Sequence, residues 1–221
     1  MTTARSAAFP PIDHIAALGG SEYEREFLQT EFGPGLDYYL ARIDRLQLRG
    51  RRLLDAGCGT GALAVEAAKR GADVTAVDIS PTLIGIARER LPERLGQGQI
   101  NFVAGDMLDK RFGTFDHIVA MDSLIHYTLP DMVLMLERLS EMSRSGLHFT
   151  YAPRTPALAA MHMVGKVFPR SDRSPRIVPH ATDSLHKWIG KSAALEGWQP
   201  GRDGRISSGF YISHAQELTH G

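Results

Sequence analysis

The chain reads LLDAGCGTG at residues 53–61, an acidic residue followed by a glycine at every second position. An apolar stretch precedes these glycines, and a helical pattern over residues 62–70 follows them. Glycines let the backbone approach a ligand closely, and the start of a helix offers unpaired N–H groups to an anion. The stretch therefore predicts a ligand-binding turn between a β-strand and an α-helix.

A dinucleotide fingerprint, G-x-G-x-x-G, is one competing interpretation, and a purely structural turn is another. Counted from Gly57, the third glycine is residue 61 and residue 62 is alanine, so the spacing is tighter than in that fingerprint. The pattern D-x-G-x-G-x-G resembles the first motif of class I S-adenosylmethionine methyltransferases. The resemblance implies that four residues of the motif bind this cofactor: Asp55, Gly57, Gly59 and Gly61.

Further aspartates follow later predicted strands. Asp78 follows residues 73–77, where an acid accepts hydrogen bonds from ribose hydroxyls, although a role in capping the next helix with Ser80 is the alternative. Asp106 follows residues 101–104, and the resemblance gives it the adenine amino group; a simple turn aspartate is the alternative. The resemblance thus extends the cofactor site to six more residues: Asp78, Ile79, Asp106, Met107, Met121 and Asp122.

Strand and helix patterns alternate along the chain. The predicted strands are residues 52–56, 73–77, 101–104, 115–121, 147–151 and a last one at 209–213. The predicted helices are residues 62–70, 81–91, 130–142 and 183–194. Such alternation predicts an α/β fold with a mostly parallel sheet and helices on both faces. The resemblance implies a class I methyltransferase, Rossmann-like sheet with an antiparallel last strand.

We expect two regions: a helical arm or cap at residues 1–50, and a methyltransferase domain at residues 51–221. A basic, proline-rich insert at about residues 153–181 interrupts that domain.

The amino-acid composition limits the classes of partner that we expect. The 221 residues carry 25 basic and 25 acidic side chains, so no global field attracts nucleic acid. The single cysteine, Cys58, is expected to be a packing residue of the glycine turn. No signal peptide or membrane span is predicted, so we expect a cytoplasmic protein with at most peripheral membrane contact. No protein-bound metal is predicted.

The residues after the fourth strand indicate the methyl acceptor. They read AMDSLIHY at residues 120–127 and lack the Pro-Pro-Tyr typical of enzymes that methylate amino groups of nucleobases. Here the chain resembles the magnesium-protoporphyrin IX O-methyltransferases of bacteriochlorophyll and chlorophyll synthesis. The resemblance spans residues 51–217 and is specific at residues 119–127, 152–156, 165–175, 178–181 and 208–213. It fails in the N-terminal arm, where the family's aromatic pattern is absent.

The resemblance implies methyl transfer to one propionate of the magnesium porphyrin. His126 and Tyr127 are the catalytic candidates that would orient the carboxylate. His126 is alternatively an axial ligand of the porphyrin magnesium, or a polar residue at a helix start. Carboxylates pair well with arginine, so the insert is predicted to bind the propionates and the macrocycle, with a solvated basic loop as the alternative. Its candidates are Arg154, Arg170, Arg173 and Phe168.

Three other functions stay open from the sequence. One is methylation of another small carboxylate or hydroxyl compound, and another is non-catalytic porphyrin binding. A nucleic-acid methylase is disfavoured by the balanced charge and the missing Pro-Pro-Tyr. The resemblance also implies the large subunit of magnesium chelatase as a partner.

Overall fold

The computed structural model describes residues 43–154, 177–208 and 211–221. Within these ranges the strands are β1 (Arg52–Ala56), β2 (Asp73–Asp78), β3 (Gln99–Ala104), β4 (Phe115–Ala120), β5 (Ser143–Tyr151), β6 (Trp198–Ser208) and β7 (Tyr211–His220). The α-helices are α1 (Ala62–Lys69), α2 (Pro81–Glu89), α3 (Leu129–Ser140) and α4 (Thr182–Ile189). Short 3-10 helices cover Asp44–Leu46, Lys110–Phe112, Leu124–His126 and Ala193–Leu195.

The strands form one sheet in the order β3-β2-β1-β4-β5-β7-β6. β1 to β5 pair in parallel, and β7 runs antiparallel to both β5 and β6. The predicted sheet, mostly parallel with an antiparallel last strand, is therefore confirmed. The chain order reverses between β1 and β4, and in open α/β sheets ligands bind outside the carboxyl ends of strands at such a switch point.

Helices cover both faces of the sheet, as predicted. Leu53 of β1 belongs to a buried cluster with residues of α1 and α2, whereas Leu54 belongs to a second cluster with residues of α3 and α4. Successive side chains of a strand point to opposite faces, so β1 is buried on both sides. Burial on both sides holds the end of β1, and the glycine turn after it, at a fixed height in the sheet.

The helix that follows β2 begins as the sequence predicts. The Ser80 hydroxyl accepts a hydrogen bond from the Leu83 N–H, and Pro81 occupies the first helical position. Proline suits that position because the missing N–H has no partner within the helix in any case. The start of α2 is thus fixed directly beside Asp78.

Two parts of the chain differ from the sequence prediction. The helix predicted at 183–194 ends at Ile189, and a 3-10 turn capped by the Ser192 hydroxyl follows it. Strand β6 was not predicted, because Pro200 and two glycines hide its pattern. Proline is tolerated on an edge strand, where its missing N–H costs no sheet hydrogen bond, and β6 is the edge strand here. Residues 211–213 of the strand predicted at 209–213 begin a longer strand, β7, and residues 209 and 210 lie outside the described residues.

The predicted arm at residues 1–50 lies almost wholly outside the described residues, as does most of the insert. In the part of the chain that the structure describes, no helix combines the length and apolar character that a membrane crossing requires.

Candidate cofactor and acceptor site

The glycine turn folds back over the end of β2. The backbone N–H groups of Gly57 and Cys58 both donate to the Val77 carbonyl, at 2.8 and 3.0 Å. Burial, followed by the charges of Asp55 and Asp78, raises the pKa of the Cys58 thiol, which stays protonated at neutral pH. Cys58 therefore packs in the turn, as expected, without thiolate chemistry.

The three glycines of the turn have different neighbours. A Cβ atom on Gly57 would lie 2.3 Å from Cβ of Ser123, and one on Gly61 would lie 2.6 Å from the Phe102 ring. Among the described residues, a Cβ atom on Gly59 would meet nothing within 4 Å, although its φ of +54° disfavours other residues. Gly57 and Gly61 therefore allow close packing, and Gly59 borders the open space of the crevice.

Asp78 links the glycine turn to helix α2. Its Oδ2 accepts the Gly59 N–H and its Oδ1 accepts the Ser80 N–H, both at 2.9 Å. A carboxylate oxygen can accept more than one hydrogen bond, so these backbone contacts are compatible with ribose hydroxyls. Helix capping and ribose binding, the two interpretations of Asp78, thus do not exclude each other.

Asp55 is a buried acid at the end of β1. The side chain is 1% exposed, and the Ala64 N–H in the first turn of α1 donates to it. Its Oδ2 has no hydrogen-bond partner among the described residues. Burial first, and the negative charge of Asp78 second, raise the pKa of Asp55 to about 7 from its ordinary 3.8. An acid in this situation favours a cationic group beside it.

These features fit S-adenosylmethionine. Its methionyl group carries an ammonium that suits the buried Oδ2 of Asp55, and its ribose offers two hydroxyls to Asp78. The open space next to Gly59 leaves room for the ligand. In the part of the chain that the structure describes, no side chain caps α1 at Gly61, so that helix start can receive a carboxylate.

The turn after β4 is held by side-chain hydrogen bonds. Asp122 has a φ of +51°, a left-handed conformation that aspartate adopts more readily than most residues. Thr150 Oγ1 accepts the Asp122 N–H at 2.7 Å and donates to Asp122 Oδ1 at 2.9 Å, and Ser213 donates to the same oxygen at 3.3 Å. Ser123 Oγ donates to the Ala56 carbonyl at 2.8 Å. The turn is therefore tied to β1, β5 and β7.

His126 and Tyr127 follow directly on this turn. Leu124 is fully buried and anchors the 3-10 helix, while His126 and Tyr127 are half-buried. Burial first, and then the charges of Asp106 and Asp131, raise the pKa of the Tyr127 phenol. The phenol thus stays protonated at neutral pH and can donate a hydrogen bond to a carboxylate.

The remaining predicted cofactor residues surround this region. Asp106 is exposed, and its Oδ1 accepts the Leu108 N–H at 2.9 Å, which is the turn role weighed from the sequence. Met107 and Met121 are partly buried against the two different core clusters, and Ile79 is half-buried after β2. Their contacts with a cofactor stay predictions.

The two ends of the insert meet beside the acceptor turn. The Arg154 N–H donates to the His180 carbonyl, the His180 N–H to the Ala152 carbonyl, and the Val178 N–H to the Ile125 carbonyl, each at 2.8 Å. The Arg154 side chain is exposed. Three predicted substrate residues lie outside the described residues: Phe168, Arg170 and Arg173.

Sequence reasoning missed the residues that hold the acceptor turn. Ser123, Thr150 and Ser213 lie on three different segments, and nothing in their local sequence distinguishes them from ordinary polar residues. Among the described residues, no group of three His, Cys, Asp or Glu side chains is placed to hold a metal ion.

Comparison with known proteins identifies the family. Residues 53–146 match a family model described as a methyltransferase domain, and residues 120–220 match one described as the magnesium-protoporphyrin IX methyltransferase C-terminus. The magnesium-protoporphyrin O-methyltransferase of Rhodobacter capsulatus is 49% identical over 170 residues, which cover 77% of this chain and 72% of that protein. The protein of the same name from Synechocystis is 32% identical over 171 residues, with the same two shares.

A solved structure agrees with these matches. The magnesium protoporphyrin IX methyltransferase of Synechocystis with bound S-adenosylhomocysteine superposes with a TM-score of 0.72 at 30% identity, covering 85% of this chain and 82% of the other. The methyl donor is therefore S-adenosylmethionine, as inferred from the glycine turn. The resemblance to the magnesium-protoporphyrin O-methyltransferases that the sequence shows is confirmed. The chain belongs to the magnesium-protoporphyrin O-methyltransferase family.

Proposed function

We propose that the protein transfers a methyl group from S-adenosylmethionine to one propionate carboxylate of magnesium protoporphyrin IX, giving the monomethyl ester. One observation carries the proposal beyond family membership. Ser123 ties the acceptor turn to the carbonyl of Ala56, directly before the glycine turn, so a donor and an acceptor would meet at one edge of the sheet.

The acceptor needs little activation. A propionic acid has a pKa near that of glutamate, about 4.3, so it is already ionised at pH 7 and no general base is required. The site must remove water from the carboxylate and align one oxygen with the methyl group. Such positioning can supply about 7–11 kcal/mol of the barrier reduction.

Tyr127 and His126 are the residues proposed to position the carboxylate. The protonated phenol of Tyr127 can donate to one carboxylate oxygen, and His126 lies one residue earlier on the same turn. Bound S-adenosylmethionine supplies an electrophilic methyl carbon. The other carboxylate oxygen bonds to that carbon as the carbon–sulfur bond breaks and its electron pair stays on sulfur. One positive and one negative charge disappear together, so a water-poor site favours the reaction.

The insert supplies the remaining recognition in this proposal. The porphyrin carries two propionates, and guanidinium groups bind carboxylates through two parallel hydrogen bonds. Arg154 projects into solvent at the base of the insert, which suits a contact with the second propionate. Arg170 and Arg173 are proposed for the same charges, and Phe168 is proposed to pack on the macrocycle.

Incubation with magnesium protoporphyrin IX and methyl-labelled S-adenosylmethionine, followed by mass analysis, tests the proposal. We expect one label per porphyrin, in an ester that mild base removes. Metal-free protoporphyrin and a phenolic acceptor serve as controls. Label in the phenolic acceptor alone would move the function to another O-methyltransferase. Porphyrin binding without release of S-adenosylhomocysteine would indicate a non-catalytic carrier.

Two further proposals concern the surroundings of the enzyme. The first is contact with the large subunit of magnesium chelatase, which co-purification of the two proteins tests. The second is a cytoplasmic location with at most peripheral membrane contact. Cell fractionation tests it, since a salt wash should release any membrane-bound portion.

A further inference from the structure

We propose that His180 is a positioning residue for methyl transfer: its imidazole fixes the turn carrying His126 and Tyr127 against the base of the insert. The inference rests on the proposed function and adds a residue outside the cofactor and acceptor motifs. His180 lies 53 residues from Tyr127 in the chain, and its ring Nε2 lies 2.9 Å from the Tyr127 carbonyl oxygen.

The protonation of His180 follows from its surroundings. The residue is 6% exposed, and this burial lowers the pKa of the imidazole, more than the bond to the Tyr127 carbonyl raises it. The ring is therefore neutral at pH 7 and carries one N–H. A carbonyl oxygen can only accept, so the proton lies on Nε2 and the bond is N–H to O=C.

The accepting carbonyl lies at a sensitive position. Tyr127 is the C-cap residue of the 3-10 helix Leu124–His126, and the next residue, Thr128, is the N-cap residue of α3. The peptide between Tyr127 and Thr128 is thus the joint between the acceptor turn and a long core helix. Holding its carbonyl oxygen fixes the rotation of that joint, and with it the direction in which the preceding side chains point.

The imidazole bond is separable from the backbone bonds around it. Main-chain hydrogen bonds of Val178 and His180 join this segment to Ile125 and Ala152, and a substitution of the His180 side chain leaves them in place. Those bonds close the base of the insert. The side-chain bond holds the residue after His126, whereas the Val178 backbone bond holds the residue before it. Loss of the side-chain bond should therefore affect the alignment of His126 and Tyr127 more than it affects folding.

Three variants test the inference. His180→Ala removes the donor, and His180→Gln keeps an N–H donor at nearly the same reach. His186→Ala removes a different imidazole, which is half-buried and bonds to Gln216 on β7, and serves as the control. For each variant we would measure kcat and KM with magnesium protoporphyrin IX, and the affinity for S-adenosylhomocysteine.

We expect His180→Ala to lower kcat by about 10- to 100-fold, the scale of a misalignment of about 1 Å. Affinity for S-adenosylhomocysteine should stay close to that of the wild type. His180→Gln should recover most of the lost kcat, and His186→Ala should behave like the wild type. Wild-type kcat in His180→Ala would overturn the inference, as would a folded His180→Gln as slow as His180→Ala.

Amide hydrogen exchange keeps the test independent of the acceptor. Backbone amides at residues 124–128 should exchange faster in His180→Ala than in the wild type or in His186→Ala. Unchanged exchange there would overturn the positioning role even if turnover falls. A wild-type protein that fails to methylate the porphyrin, while the exchange difference is present, would count against the proposed function and leave the positioning role standing.

Discussion

The cofactor half and the acceptor half of the site are built in different ways. In the cofactor half, the glycine turn with Asp55 and Asp78, backbone N–H groups donate to the Val77 carbonyl and the Asp78 carboxylate of the adjacent strand β2. In the acceptor half, the turn at residues 122–127, side chains from distant segments provide the support. Ser213 reaches Asp122 across 91 residues, and His180 reaches Tyr127 across 53.

Because the two halves are supported differently, we expect substitutions in one half to leave the function of the other half intact. Backbone geometry within a short motif survives most distant substitutions, whereas a turn held by long-range side-chain bonds depends on each partner. Changes in the acceptor half should therefore reduce turnover while cofactor binding stays intact. Changes in the cofactor half should weaken cofactor binding itself.

We expect the largest loss of turnover from a substitution at His126, in the acceptor half. His126→Ala should lower kcat by roughly 100-fold or more, because the carboxylate would lose the group that we propose orients it. Calorimetry should still show binding of S-adenosylhomocysteine close to the wild-type affinity. His126→Asn, which keeps a hydrogen bond, should lie between the two. Wild-type turnover in His126→Ala would remove this residue from the mechanism.

The converse effect is expected at Asp78. Asp78→Ala should weaken S-adenosylhomocysteine binding by about 10- to 100-fold, since it removes the hydrogen bond from the Gly59 N–H and the charge-assisted hydrogen bonds proposed to the ribose. Asp73→Ala, an exposed acid at the start of the same strand, is the matched control and should bind normally. Equal losses in both variants would mean that net charge, rather than the ribose contact, sets the affinity.

Within the cofactor half, two glycines should respond differently to substitution by alanine. Gly57→Ala should destabilise the fold by about 1–3 kcal/mol, because the new Cβ would lie 2.3 Å from Cβ of Ser123. In Gly59→Ala, the new Cβ has no neighbour within 4 Å among the described residues. The main cost to folding is therefore about 1–2 kcal/mol of left-handed backbone strain. Denaturant unfolding with and without S-adenosylhomocysteine measures both. We expect the ligand to stabilise Gly59→Ala less than the wild type, whereas full stabilisation would place Gly59 away from the ligand.

Asp55 should also make the folding stability depend on pH. Its pKa is about 7 in the folded protein and near 3.8 in the unfolded chain, so between these values the folded state holds a proton that the unfolded state has lost. The unfolding free energy of the ligand-free protein therefore falls as pH rises from about 4 to about 7. Asp55→Asn should reduce that fall. Urea unfolding at several pH values measures it, and an identical slope in Asp55→Asn would contradict the raised pKa.

The sequence predicted the cofactor half well because its information is local. Short-range rules predict the strand at Arg52–Ala56, the Ser80 cap and the aspartate at the end of β2, and the structure contains all three. The parallel sheet follows from the alternation of strands and helices.

The acceptor half could be predicted only as a motif and not as a geometry. His126 and Tyr127 came from a resemblance, but Thr150 and His180 act through contacts that no local pattern specifies. Their partners are set by which strands and segments become neighbours. Edge strand β6 escaped prediction for a related reason, since its polar sequence is decided by pairing with β7.

Calorimetric titration of the purified, folded protein with S-adenosylhomocysteine tests whether the crevice beside Gly59 binds the cofactor. We predict saturable binding of one molecule per chain, weakened by Asp78→Ala and retained in His126→Ala. Absence of any binding heat with both S-adenosylhomocysteine and S-adenosylmethionine would contradict the assignment of the crevice beside Gly59 to this cofactor.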